Sequence, residues 1–232
     1  MELSYSDYLL SLKNNVEFLK INWDSFNGID FMEQQNKPIF YFDMDGVLAT
    51  WQTNLLSDFV MPNGDILPKG SPVTDELWNN PDTHYYASIP PYKEFVKYVN
   101  EELCKNPEIE VYVLTKSPVF AIDDKLQWLK TYLPNLSEDH ILILPYRDSA
   151  VKSKYVPRID ENTYLFDDFS PNLRQWENAG GKAYNVFNGV NHPERNFSNI
   201  ACNEEFDRTV LDIVVSEAVE HITEKETENY ER

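Results

Sequence analysis

Short apolar runs and stretches of amphipathic spacing alternate along most of this chain. Ile39-Phe40-Tyr41-Phe42 lies between Pro38 and a Gly-containing loop, and it is continuously apolar and aromatic. A run of that length and composition predicts a strand buried on both faces of a parallel sheet. Residues 109–114, 141–144, 164–166 and 183–187 have the same character and predict further strands. The segments between them carry helical spacing. Phe95, Val96, Val99 and Leu103 share one face of a helix over 92–103, and Ala121, Leu126 and Leu129 do the same after Pro118. Asp123 and Asp124 stand in the first turn of that second helix, where carboxylates suit the helix dipole. Ser170-Pro171 has the chemistry of a helix start, and the helix through Leu173, Trp176 and Ala179 stops at Gly180-Gly181. Strands and helices in this alternation predict an α/β fold with a doubly wound parallel sheet.

Three segments fall outside that rhythm. Residues 5–21 space Tyr8, Leu9, Leu12, Val16 and Leu19 as an amphipathic helix, which packs on the outside of the domain or covers part of a site or partner surface. Residues 50–88 hold Trp51, Trp78, His84, Tyr85 and Tyr86 among several Pro and Gly, without clean periodicity. A stretch that long between a strand and the next helix reads as an insertion rather than a connecting loop. The last helix, over 204–222, aligns Phe206, Val210, Ile213, Val214, Ala218 and Ile222, and the Glu-rich tail from Thr223 has little to bury and is expected to fray. The organisation expected is an N-terminal helical extension at 1–37, a core domain at 38–200 with a small cap at about 50–88, and a C-terminal helix and acidic tail at 201–232.

At 232 residues the chain has length for one such core with an insertion. Its 20 Lys and Arg against 39 Asp and Glu give a net charge of −19, which disfavours polymeric nucleic acid and anionic membranes as partners. A small phosphorylated ligand remains compatible, because a bound cation and a few basic side chains reverse the sign within one cleft. The two cysteines, Cys104 and Cys202, make no disulfide framework and fit a reducing compartment. With no signal-peptide pattern at Met1–Tyr5 and no apolar run of membrane-spanning length, a cytoplasmic location is expected.

The candidate chemistry begins where the first strand ends. Asp43 and Asp45 project from a strand terminus, and in open α/β sheets ligands bind outside the carboxyl ends of strands. Two carboxylates this close repel unless a cation lies between them, although the same Asp-x-Asp-Gly pattern also serves as a plain turn. Oxygen-only ligands favour a hard ion, Mg²⁺ ahead of Ca²⁺ or zinc. None of the four His falls in a metal-ligand pattern, and no Gly-rich phosphate loop of the Walker type is present.

Asp43-Met44-Asp45-Gly46-Val47-Leu48-Ala49 resembles the first motif of the haloacid dehalogenase-like (HAD) phosphatases, in the form found in 5′(3′)-deoxyribonucleotidases and their bacterial and phage relatives. The resemblance extends over about residues 38–191. It takes in Ile89-Pro90-Pro91, Thr115-Lys116-Ser117 after the second strand, Ala150-Val151-Lys152-Ser153-Lys154-Tyr155-Val156, and Phe166-Asp167-Asp168-Phe169-Ser170-Pro171 with the Asn188-Gly189-Val190-Asn191 turn. It implies a HAD-like Rossmannoid sheet with a small cap after the first strand. It also implies a Mg²⁺-dependent phosphomonoesterase, most specifically a 5′-nucleotidase, working through an aspartyl phosphate.

By that resemblance Asp43 is the nucleophile and Asp45 the acid and base. Thr115 is a phosphate ligand, helped by the Lys116 amide and Ser117; a satisfied strand-end Thr is the plainer alternative. Lys152 is the balancing cation, with Lys154 as the other candidate. Asp43, the Asp45 carbonyl, and Asp167 or Asp168 hold the metal, the choice within that pair being open. Trp51 stacks on a base or sugar, or else belongs to the core. Thr50 departs from the acidic residue common in deoxyribonucleotidases and the cap is short, so the substrate stays open between a nucleotide and another small phosphorylated metabolite. A binding module that keeps the fold without the chemistry is the reading from a different class, and the intact Asp43 and Asp45 pair argues against it.

Overall fold

The computed structural model describes residues 37–146, 151–156 and 158–230. The helix expected at 5–21 lies outside the described residues. Strand β1 (Ile39–Phe42) opens the domain, followed by an antiparallel hairpin of β2 (Phe59–Val60) and β3 (Ile66–Leu67). Helices α1 (Asp75–Trp78), α2 (Tyr85–Ser88) and α3 (Lys93–Tyr98) come next, and α3 continues into a π-helical turn at Val99–Leu103. The chain then runs through β4 (Glu110–Ser117), α4 (Ile122–Tyr132), β5 (Ile141–Pro145), β6 (Thr163–Asp167), α5 (Ser170–Asn178), β7 (Lys182–Phe187), β8 (Ser198–Ala201) and α6 (Arg208–Tyr230).

Six of these strands form one sheet in the order β5-β4-β1-β6-β7-β8, with every neighbouring pair parallel. The chain winds outward from β1 to β4 and β5, then crosses back to β6 and winds the other way. The reversal falls between β1 and β6, which opens a crevice at the carboxyl ends of those two strands. Register puts the chemistry there. Phe42 pairs with Val113 on one side and Phe166 on the other, so Asp43, Asp167 and Thr115 emerge at nearly one level.

Alternation along the buried strands builds a core on each face. Phe40, Phe42, Val111, Val113, Tyr164 and Phe166 pack with α3, α4 and α6. Tyr41, Tyr112, Leu114, Leu165 and Ala183 pack with Leu173 and Trp176 of α5. Phe42 stacks on Phe166 with ring centroids 4.5 Å apart, and Tyr41 meets Trp176 edge-on at 5.1 Å. Aromatic pairs of this kind contribute about 0.5–1.5 kcal/mol each beyond burial, and both sit directly beneath the β1 strand end. Among the described residues no helix is long and apolar enough to cross a membrane.

The insertion after β1 is a small cap of one hairpin and short helices, pinned at both ends. Thr50 N–H donates to the Pro90 carbonyl at 2.9 Å and Tyr92 N–H to the Leu48 carbonyl at 2.9 Å, so the cap leaves and re-enters the core at one point. His84, in the left-handed region at φ 49°, adds a third attachment through its ring Nδ1, 2.9 Å from Asp124 of α4.

The structure differs from expectation at both borders of the C-terminal region. β8 was not foreseen, because Ser-Asn-Ile-Ala offers one buried apolar residue and takes its strand form from pairing with β7. The last helix starts at Arg208 rather than 204, since the Asp207 carboxylate accepts from Thr209 N–H at 3.0 Å and caps it there. The segment expected to fray is helical to Tyr230, consistent with the helix propensity of its Glu and Lys residues.

Candidate active site

The loop after β1 is folded back on itself. The Met44 carbonyl accepts from Leu48 and Ala49 N–H at 2.9 and 2.8 Å, and Gly46 supplies the turn at φ +79°. Gly46 also allows a close approach, because a Cβ at this position would overlap the Asp168 carboxylate. The loop thus presents Asp43 and Asp45 to a cavity of about 730 Å³, whose lining also includes Thr115, Lys152, Asp168 and Asn188.

Lys152 is the electrostatic centre. It is 1% exposed, and its Nζ lies 2.9 Å from Asp43 Oδ1 and 2.6 Å from Asp167 Oδ2. Burial works to lower its pKa, but the Asp167 and Asp43 carboxylates prevail and hold it above the ordinary lysine value. Lys154, the other candidate from the sequence, is on the exposed side of the same 3₁₀ turn.

The two neighbouring acids at the end of β6 have different surroundings. Asp167 is fully buried, and both its oxygens are engaged. Oδ2 accepts from Lys152 and from Asn172 Nδ2 at 2.9 Å, while Oδ1 accepts from Phe169 N–H at 2.9 Å. Among the described residues Asp168 meets no ammonium at hydrogen-bond distance; its Oδ2 accepts from the neutral amide of Asn188 at 3.1 Å. Burial, with Asp167 and Asp43 adding repulsion, pushes its pKa up to about 8. Asp43, Asp167 and Asp168 each offer an oxygen within 4.8 Å of the others. Three carboxylates around one point, offset only in part by Lys152 among the described residues, are a donor set that would fit a hard divalent cation. Asp43 shares Lys152 with Asp167 through its Oδ1, and such an ion would be held by Asp168 and Asp43, because both oxygens of Asp167 are engaged.

Asp45 has its own lysine. Lys125 of α4 is fully buried, and its Nζ donates to Asp45 Oδ2 at 2.5 Å, to the Lys116 carbonyl at 2.7 Å and to Thr115 Oγ1 at 3.2 Å. Asp45 Oδ1 is buried and has no hydrogen-bond partner among the described residues. Burial raises the Asp45 pKa, Lys125 opposes it and Asp43 adds to it. The result is a carboxyl with one oxygen fixed and the other available to carry a proton. Lys125 was not singled out from the sequence, although the signal was present: it occupies the buried stripe of α4 with Ile122, Trp128 and Leu129, where a lysine needs an anionic partner.

The remaining residues of the second strand end are placed unequally. Thr115 is fully buried and lines the cavity with Lys116. Ser117, expected as a phosphate ligand, is buried at 1% exposure with its hydroxyl donating to the Pro118 carbonyl at 2.9 Å, so it is turned away from that role. Trp51 is 47% exposed and stands between the 730 Å³ cavity and an adjoining one of about 350 Å³ under the cap. Trp78, Tyr85, Tyr86 and Asp75 line that second cavity, and the Trp51 and Trp78 rings meet edge-on with centroids 6.4 Å apart.

Fold and site together define an α/β protein with a carboxylate and lysine cluster at the switch point of its sheet. No protein-family description matches the sequence, and no curated protein matches it. A crystal structure of a Mesorhizobium loti protein, provisionally described as a HAD-like phosphatase, is similar at 14% identity with a TM-score of 0.41, over 80% of this chain and 87% of that one. A likeness that remote says nothing about activity; the chemistry rests on this chain's own side chains.

Proposed function

We propose that this protein is a Mg²⁺-dependent phosphomonoesterase acting on nucleoside or deoxynucleoside monophosphates. The observation that carries the reading is the pairing of Asp43 with Lys152 beside Asp168, which meets no ammonium at hydrogen-bond distance among the described residues, while Asp45 stands two residues on with a buried oxygen that has no partner among them. An anionic nucleophile approaches a phosphate dianion only where positive charge offsets the repulsion. Lys152 provides part of it, and a divalent cation, which Asp43 and Asp168 would hold, would supply the rest by offsetting phosphoryl charge.

In the first step an Asp43 oxygen forms a bond to phosphorus, the bond from phosphorus to the ester oxygen breaks, and Asp45 gives its proton to the departing alkoxide. In the second, Asp45 takes a proton from water as the water oxygen bonds to phosphorus, and the acyl phosphate bond to Asp43 breaks. Lys125 keeps Asp45 oriented through both steps. Thr115 lies beside Lys125 on the phosphate side of the cavity.

The nucleotide reading is supported by the aromatic cavity that adjoins the phosphate site. Its volume of about 350 Å³ and its Trp51, Trp78, Tyr85 and Tyr86 walls suit a flat ring system with a sugar between ring and phosphate. The net charge of −19 acts against a polymeric nucleic acid as substrate.

The test is phosphate release from nucleoside 5′- and 3′-monophosphates, sugar phosphates and an aryl phosphate, with Mg²⁺ or EDTA, by wild type and Asp43→Asn. Turnover of nucleotides that needs both Mg²⁺ and Asp43 is expected. Turnover confined to sugar phosphates moves the substrate class, and equal rates with EDTA or with Asp43→Asn overturn the mechanism.

A further inference from the structure

Asn188, just beyond β7, has a buried side chain with both ends in use. Its Oδ1 accepts from the Val190 and Asn191 N–H groups at 2.9 and 3.0 Å, which shapes its own turn. Its Nδ2 donates to the Gly46 carbonyl at 2.9 Å and to Asp168 Oδ2 at 3.1 Å. The turn needs only the oxygen half. The nitrogen half reaches residues 142 and 20 positions away in sequence and joins the loop bearing Asp43 to the carboxylate of Asp168.

Asn191 reinforces the same bridge. Its Oδ1 accepts from Asn188 N–H at 2.8 Å, and its Nδ2 donates to the Val186 and Asp168 carbonyls at 2.8 and 3.3 Å. The Asp168 backbone and carboxylate are therefore both tied to this turn, while its carboxylate rests against the Cβ-free face of Gly46. The contrast with Asp167 is instructive: that acid receives an ammonium, Asp168 receives an amide. An ammonium at position 188 would occupy the charge that a cation needs. An amide orients the carboxylate and leaves its charge intact.

We infer that Asn188 is a positioning residue for a divalent cation: it holds Asp168 at a set spacing from the Asp43 loop without neutralising it. This rests on the cation site of the proposed function, and the two fail differently.

The experiment is calorimetric titration of Mg²⁺ into wild type and Asn188→Ser, with metal-free melting temperatures in EDTA. Serine retains an oxygen for the turn amides but is too short to reach Asp168 and Gly46. The expected result is a variant that melts within a few degrees of wild type and binds Mg²⁺ tenfold or more weakly, in line with the roughly 10–100-fold cost of losing an outer-shell partner. Its activity should recover at high Mg²⁺. Binding within twofold of wild type by the folded variant overturns the inference and leaves the site intact. Absence of Mg²⁺ binding by wild type overturns the site reading and this inference with it. A second measurement covers the case where the variant does not fold: in wild type the Asn188 side-chain amide NMR signals should shift on Mg²⁺ titration with the calorimetric midpoint, and signals that stay fixed overturn the inference.

Discussion

Asp168→Asn should make the metal-free protein more stable while removing its function. The substitution keeps the shape, the packing on Gly46 and an acceptor for Asn188 Nδ2, and removes only the charge. Burial and the neighbouring Asp167 and Asp43 raise the Asp168 pKa from 3.8 to about 8. At roughly 1.4 kcal/mol per unit, that shift sets a ceiling of about 6 kcal/mol on the strain carried by the ionised form. Asp168 is only half-buried, and water and relaxation screen such charges, so roughly a third of the ceiling, ~2 kcal/mol, is the realistic gain. For a domain of this size that corresponds to about 4–8 °C in melting temperature.

The pH dependence follows in sign. The fold keeps the Asp168 proton up to about pH 8, whereas the unfolded chain loses it near 4, so wild-type stability falls as pH rises between those values. The gain from Asp168→Asn should thus be small at pH 5 and full near pH 8.5. Melting in EDTA at pH 5, 7 and 8.5, then with Mg²⁺ at each pH, checks it. Wild type should gain stability from Mg²⁺ most strongly at high pH, and the variant should gain none. A variant no more stable than wild type at pH 8.5, or equally stabilised at pH 5, refutes the electrostatic reasoning.

Lys125→Met strips Asp45 of its ammonium, and we expect kcat to drop on the order of 100-fold, the scale of a general acid and base. Because Lys125 lowers the Asp45 pKa, its removal should also move the Asp45 limb of the pH–rate profile to higher pH; an unmoved limb contradicts the assignment. Gly46→Ala forces a side chain into φ +79°, at a cost of about 1–2 kcal/mol, and into the Asp168 carboxylate. Calorimetry should find Mg²⁺ binding lost in a protein that remains folded. His84 should titrate above 6.5 by NMR, since the hydrogen bond and charge of Asp124 favour its protonated form. That attachment of cap to core is charge-assisted below the raised midpoint and weakens as pH climbs through it, and Asp124→Asn should bring the midpoint back down.

Periodicity sufficed for the architecture where burial is symmetric. β1, Ile141–Leu144 of β5 and Tyr164–Phe166 of β6 are continuous apolar runs, and their character can be read without any partner in view. β8 is the opposite case. With Ser198 and Asn199 exposed, its strand form comes from the hydrogen bonds of β7. The helical continuation to Tyr230 also runs against the expectation of fraying, in line with the local helix propensity of its Glu and Lys residues.

The carboxylates at strand ends, and a lysine near 152, were legible as types: Asp43 and Asp45 stop an apolar run, as Asp167 and Asp168 do. Their division of labour was not. Asp167 and Asp168 are adjacent and chemically identical, and only the tertiary partners separate them, an ammonium for one and an amide for the other. Likewise Ser117 follows the strand with Thr115, yet its hydroxyl turns to the Pro118 carbonyl. Lys125 and Asn188 reach the site from a helix and a turn distant in sequence. A sequence by itself determines which residues can be buried, which can bear charge, and where strands end, because these follow from local periodicity and side-chain chemistry. Which charge meets which is decided by three-dimensional proximity. Electrostatic and hydrogen-bond energies fall off over a few ångströms, and those distances exist only once the sheet has brought its strand ends together.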